Sequence, residues 1–285
     1  MEVEELLALL TRIEAFRDQM MARFTAGLDA ATQELYEELT TFAESLSFGT
    51  TETPLTDAEK IRNRQQVQTF RAGIVSRMEA GKYGTIVTGL ITDLRQSLGM
   101  FDGYFGRVAL NFQPAKALYR EVFAQGVDRT ILQLTGAGMQ AEFTGPVINL
   151  LDQYVSGGQP LAKLRRNLRE AVVEKGLTTR TVKQLASDAV EFATADYVQT
   201  ISRDVGLKHY LYQGTLIATS RKFCTDRVGK AYTEKEVYEW LTQEWQGKIS
   251  GTDRQTIFIF RGGYNCRHQL LPISKAMYEY LKSQS

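Results

Sequence analysis

None of the five prolines, Pro54, Pro114, Pro146, Pro160 and Pro272, interrupts a long periodic run of apolar residues. Proline removes a backbone donor and clashes inside a helix, so this placement marks element starts and breaks and leaves the stretches between free to be helical. The first stretch, about Glu2 to Ser47, carries Leu6, Leu9, Ile13, Phe16 and Met20 at alternating spacings of three and four. After a phase shift near Gly27, Leu28, Leu35, Leu39, Phe42 and Leu46 continue the stripe. This predicts an amphipathic helix that Gly27 can break once. Ser47–Asp57, small, polar and proline-containing, reads as a linker. Thr56 or Asp57 caps a second helix through about Ala80, with Glu59 in its first turn. The glycine-rich stretch from Gly81 to Gly106 is helical in its middle, and Pro114 opens a further helix closed by the glycines of Thr135–Gly138. Thr144 caps a short helix stopped at Gly157 and Gly158, and two more helices end at Gly176 and Gly206.

At Lys208 the character changes. "KHYLYQGTLIATS" is aromatic and β-branched and reads as a strand or hairpin, "TIFIF" as a strand and "YNCRHQLLPI" as extended. "TEKEVYEWLTQEW" is a short helix capped by Thr233 with Glu236 at the capping-box position, and "SKAMYEYLKS" is a final helix. The fold expected is mainly α, a helical body followed by a small C-terminal α+β domain. Residues 1–50 form an acidic helical arm, 51–206 the helical body and 207–285 the α+β domain.

A net charge of +1 names no partner, but the charge is unevenly spread. Residues 1–55 hold 11 acidic and three basic side chains, and the remainder 22 acidic and 31 basic. An acidic arm on a basic body can dock there or on a basic neighbour, or it is a solvated helix face. Two cysteines make no disulfide framework and suit a reducing compartment. The opening "MEVEELLALLTRIEAF" lacks a basic region and is interrupted by acids, so no signal peptide is expected. No stretch approaches the apolar length of a membrane span.

The chemistry-bearing residues gather near the end. Cys266 and His268, two residues apart in an extended segment, point to one face, as two ligands of a zinc ion do. Cys224 is available as a third ligand and Asp226 or His209 as a fourth, but Arg227 stands where a CxxC knuckle has its second cysteine. A Cys–His catalytic pair and a buried turn with no chemistry are the other readings, and Asn265 faces away from both side chains in a strand. Arg261, Gly262 and Gly263 spell a lone RGG, better explained by a turn or close backbone approach than by nucleic acid. "KLRRNLRE" offers phosphate contacts through Lys163, Arg165, Arg166 and Arg169, set against an exposed face with i,i+4 pairs such as Arg166–Glu170. Phe223, Tyr232, Tyr238, Trp240, Trp245, Phe258, Phe260 and Tyr264 supply an aromatic core.

A long helix (Thr178–Val205), an extended stretch leading to Arg221 and Cys224 with Gly229 downstream, and the terminal "GGYNCRHQLLPI" together resemble the Mu F-like head morphogenesis family, the minor head proteins of tailed bacteriophages. The resemblance covers about 110 residues, from Thr178 to Ser285, through Arg221, Cys224 and Gly229 in the first element and Asn265, Cys266, Arg267, His268 and Pro272 in the last. It departs from the family at Arg227, where the frequent CxxC has a cysteine, and at His268, which replaces the last cysteine of a CRC element, leaving a Cys/Cys/His remnant. The resemblance implies a structural assembly protein rather than an enzyme. Its partners would be the portal or major capsid protein, further copies of itself and packaged DNA. It would lie in the virion, at the portal vertex or capsid interior, after assembly in the host cytoplasm. Two rivals stand beside it: a DNA-processing or toxin-like enzyme with His268, Arg221 and Arg261 at its site, and a genome-associated DNA-binding protein using the basic helix.

Overall fold

The computed structural model describes residues 3–49, 53–136, 144–157, 160–174 and 177–284. Helices come first: α1 (Val3–Glu44), α2 (Asp57–Ala80), α3 (Lys82–Val108), α4 (Ala117–Leu134), α5 (Gly145–Gly157), α6 (Leu161–Arg169, continued by a π-helical turn at Glu170–Glu174) and α7 (Leu177–Val205). There follow β1 (His209–Gln213), α8 (Lys222–Thr225), β2 (Ala231–Thr233), α9 (Glu234–Glu239, continued by a 3-10 turn at Trp240–Thr242), α10 (Ile257–Phe260), β3 (Gln269–Ile273) and α11 (Lys275–Ser283). The chain is mainly α with a small C-terminal α+β part, as its sequence predicts. The stops expected at Gly138, Gly158 and Gly176 lie outside the described residues. No helix among the described residues is long and apolar enough to cross a membrane.

α1 runs for 42 residues without a break. Leu6, Leu10, Ile13, Arg17, Met20, Phe24, Leu28, Ala31, Leu35 and Leu39 are all buried, and Phe24 and Ala31 carry the stripe across the apparent phase shift. Gly27 stays helical and serves a different end: a Cβ there would stand 2.4 Å from Cγ2 of Ile86 on α3, so glycine allows the two backbones to approach. The acidic helix is therefore part of the packed interior rather than an arm standing off from it.

The fold divides into two compact units, neither of them one continuous segment. Unit one takes α1 up to Met20, Ile91–Thr130 and the chain from Ser187 onward, and unit two takes Met21–Leu90 and Ile131–Ala186. The boundaries expected at residues 50 and 206 do not coincide with their edges. In unit two, Glu38 and Glu44 of α1 pair with Arg77 of α2 and Arg165 of α6. The buried Asn63 amide accepts from Ser47 N at 3.0 Å and donates to Ser47 O at 2.7 Å, anchoring the start of the expected linker. Thr56 and Glu59 form the capping box that opens α2.

In unit one the strands form an antiparallel sheet of order β2-β1-β3. β1 pairs Tyr212 with Leu270 and Tyr210 with Pro272 of β3. Pro272 is thus within a strand, where its missing N–H is tolerated because β3 is an edge. Its carbonyl accepts from Tyr104 Oη at 2.7 Å, and Leu270 O accepts from Gln199 Nε2 at 2.9 Å, which ties β3 to α3 and α7. α9 opens with the expected Thr233–Glu236 capping box. "TIFIF" is a correction: Ile257–Phe260 is a short helix, not a strand. The Asp253 carboxylate accepts from Gln255 N and Thr256 N at 2.9 Å each, and this local turn starts a helix that buries Ile257 and Phe258. β1 likewise ends at Gln213, because Gly214 lies against His268; a Cβ there would be 2.7 Å from His268 Cα.

Candidate metal centre

Tyr212 lies in the central strand β1, fully buried, and two segments converge on its hydroxyl. The short helix α8 presents Cys224, whose sulfur accepts from Tyr212 Oη at 3.4 Å. The loop entering β3 presents Cys266, with Sγ 3.7 Å from the same oxygen. His268 stacks its ring on that of Tyr212, centroids 5.7 Å apart and planes 15° from parallel. All three cluster residues are buried.

The loop is shaped for this purpose. Arg261, Gly263 and Asn265 adopt positive φ of 41°, 90° and 57°, so the segment folds back on itself rather than running extended as the sequence predicts. Cys266 and His268 still meet, through turns rather than strand alternation. Gly262 leaves no room for a side chain, since a Cβ would stand 2.5 Å from Cys266 Sγ and 2.9 Å from Cys224 Sγ. A Cβ on Gly263 would meet Gly247 O at 1.8 Å. Arg221 donates to Gly262 O at 3.1 Å and to Tyr264 O, binding α8 to the loop. Gly229, at φ 80°, gives its N–H to Tyr212 O at 2.8 Å.

Arg261 is a member of the interior rather than of an RGG element or an exposed site. Its guanidinium donates to His268 O at 2.5 Å, Ile259 O at 2.7 Å and Glu191 Oε2 at 2.7 Å. Glu191, on α7, also accepts from Arg17 of α1 at 2.5 Å and from Gln269 at 3.1 Å. The buried charge is thus paired and hydrogen-bonded, the condition under which burial is tolerated. Sequence reasoning misses Glu191, Arg17 and Tyr212 as supports. The available signal was Arg17 at a core position of the α1 stripe.

Sγ of Cys224 and Cys266 are 3.9 Å apart, Cys266 Sγ is 3.7 Å from His268 Nδ1, and the three ligand atoms all lie within 4.8 Å of one another. A tetrahedral zinc site with Zn–S of about 2.3 Å and Zn–N of about 2.0–2.1 Å has S···S and S···N edges of about 3.8 and about 3.6 Å. A disulfide requires about 2.05 Å. The two spacings that involve Cys266 match those edges, and both thiols are free. The contact with Cys224 holds the Cys266 thiol well below the usual thiol range; burial opposes this, and His268 and the Arg261 charge add to it. Cys224 is correspondingly pushed up by the same contact and by burial. Cysteine sulfurs bind a cation as thiolates, so an ion here would displace their protons. The nitrogen that faces Cys266 is Nδ1, while His268 Nε2 is buried without a hydrogen-bond partner.

The expected fourth ligands do not join. Asp226 is paired with Lys222, and the ring of His209 packs against Tyr278 at 4.6 Å. Arg227 lies over the rings of Phe223 and Trp240, at 3.8 and 4.8 Å, on the aromatic core rather than in the cluster. That core holds Phe223, Trp240 and Phe258 with Tyr232, Tyr238 and Trp245 against them, while Tyr264 is exposed. A cavity of about 200 Å³ opens beside the cluster, lined by Cys224, Cys266 and His268 together with Arg221, Asn265 and Arg267 among others, and no carboxylate lines it. In unit two, Lys163, Arg165, Arg166 and Arg169 are all exposed on α6, with Leu164 and Leu168 buried beneath; Arg165 is paired with Glu44. No protein-family model, curated protein or solved structure matches the chain.

Proposed function

We propose that this chain is a structural assembly protein of the minor-head type, built into the head of a tailed bacteriophage at the portal vertex or capsid interior. In this reading a zinc ion clips its C-terminal part through Cys224, Cys266 and His268. One observation carries the reading: the residues of the sequence resemblance build a single local architecture. Arg221 binds the loop, Gly229 shapes the turn beneath Tyr212, Asn265 makes the reversal, and Pro272 sits in the edge strand. Zinc, when bound, supplies folding free energy by joining α8 to the loop before β3. The residues themselves hold the three donor atoms within 4.8 Å of one another on the wall of the adjacent cavity.

The assembly reading is tested by co-expressing the chain with the portal and major capsid proteins of a phage that carries it and analysing purified heads by mass spectrometry. Incorporation at a fixed number of copies is expected. Heads of normal composition and yield that lack the chain would refute it. The clip is tested separately by metal analysis of untagged protein, which should show one zinc per chain and a melting temperature lowered by chelator.

A further inference from the structure

The zinc clip has three protein ligands where a tetrahedral ion takes four. Resting on that clip, we infer that the ion keeps its fourth coordination position open to the adjacent cavity and that a carboxylate occupies it. Three observations lead there. Cys224, Cys266 and His268 all lie on the wall of the cavity of about 200 Å³, so the unfilled side of the ion faces space rather than packed side chains. No further Cys, His, Asp or Glu lines that cavity, so the fourth donor is not among its walls. Tyr212 Oη lies against both sulfurs and a Cβ on Gly262 would stand 2.5 Å from Cys266 Sγ, so those sides of the cluster are filled and the cavity is the side from which a fourth donor arrives.

The remaining walls select the ligand. Thr219 brings a hydroxyl, Asn265 an amide, and Arg221 and Arg267 positive charge, while the Thr215 hydroxyl donates to Glu14 and Asp18 and the Ser220 hydroxyl accepts from Ile217 N. Such a lining favours an oxygen anion, whose second oxygen accepts hydrogen bonds while the first meets the ion. Arg221 is engaged with two loop carbonyls, which leaves the exposed Arg267 as the residue to orient the carboxylate. The carboxylate belongs either to a small acid or to an Asp or Glu side chain of another chain. Both share the chemistry and differ in how much follows the headgroup into the recess.

Cobalt(II) in place of zinc reports coordination directly. The full-length protein should bind one equivalent and show thiolate charge-transfer bands, and added acetate should shift its visible spectrum to a saturating end point. A blocked glutamate shifts it too if a protein side chain is the natural source; acetate alone does so if the source is a small acid. Arg267→Gln should retain cobalt and fold, and weaken acetate binding roughly tenfold through loss of one charge-assisted hydrogen bond. Thr219→Ala, also at an exposed position, should weaken it less. Cobalt bound but unmoved by acetate overturns the open position and leaves the clip standing. No cobalt or zinc bound overturns the clip itself, and this inference with it. An unchanged acetate affinity in Arg267→Gln overturns the role given to the recess.

Discussion

Arg261 places a full positive charge in the interior, 2% exposed, on a backbone with φ of 41°. A non-glycine residue in that region costs about 1–3 kcal/mol and persists only where its surroundings over-determine it. Three hydrogen bonds do so here, one of them to the carbonyl of His268, so the strain positions a ligand. Gly262 has the opposite requirement, since any side chain collides with both sulfurs. Gly262→Ala should drop the metal content well below one per chain and lower stability by about 1–3 kcal/mol, read by metal analysis and denaturant unfolding. His209 gives a pH signature. Burial and the charge of Lys275 hold its folded-state value below the ordinary histidine range, despite Glu279 and Glu236. The unfolded chain therefore binds the proton more readily. Stability is complete above about pH 6.5 and declines as pH falls from there through the depressed folded-state value. His209→Gln should flatten that part of the profile, and an unchanged slope in the variant would assign it to other groups. Cys224, Cys266 and His268 were legible as a group because such residues are scarce in this chain. Their supports were not, because a buried Glu191 or Arg17 differs from a surface charge only in what the fold places around it.

Elements were legible where the signal was local and ambiguous where it was not. The capping boxes at Thr56 and Thr233 declare helix starts in four residues, and both are realised. "TIFIF" has strand composition, yet the four residues before it, with Asp253 as acceptor, begin a helical turn instead. Asp253→Ala should accelerate amide exchange at Phe260 and Arg261, whose N–H groups bond to Thr256 O and Ile257 O, and leave α7 amides unchanged. Gly27 reads as a helix breaker and proves to be a close-approach position, since only the partner helix reveals the difference. α1, α7 and the loop before β3 meet at the Arg17–Glu191–Arg261 network. Glu191→Gln leaves two guanidinium groups short of their counter-ion and should cost about 3–5 kcal/mol in unfolding experiments, with metal affinity falling as the loop loosens. A loss under about 1 kcal/mol would mean that neutral hydrogen bonds suffice there.

The molecule as a whole is built from two units whose segments alternate along the chain. α1 supplies buried residues from Leu6 to Leu39, so removing residues 1–44 should yield insoluble protein or a chain without a cooperative transition. A soluble, cooperatively melting product would show that α1 is dispensable. For the basic helix α6, the pairing of Arg165 with Glu44 already commits one of the four charges within the protein. Duplex DNA binding should accordingly be weak, and salt-sensitive submicromolar binding abolished by changing all four bases to alanine would favour the genome-binding alternative. The interleaving also sets an order in time. Unit one joins the start of α1 with Ile91–Thr130 and with the chain from Ser187 onward, which holds β3 and its last residue Ile273. The α1 segment of that unit ends at Met20, more than two hundred residues before Ile273, so its last partners emerge long after it. Unit two has all its segments once Ala186 has emerged and can close well before. The apolar stripe beginning at Leu6 therefore receives the last of its covering only when the segment from Ser187 onward has been made.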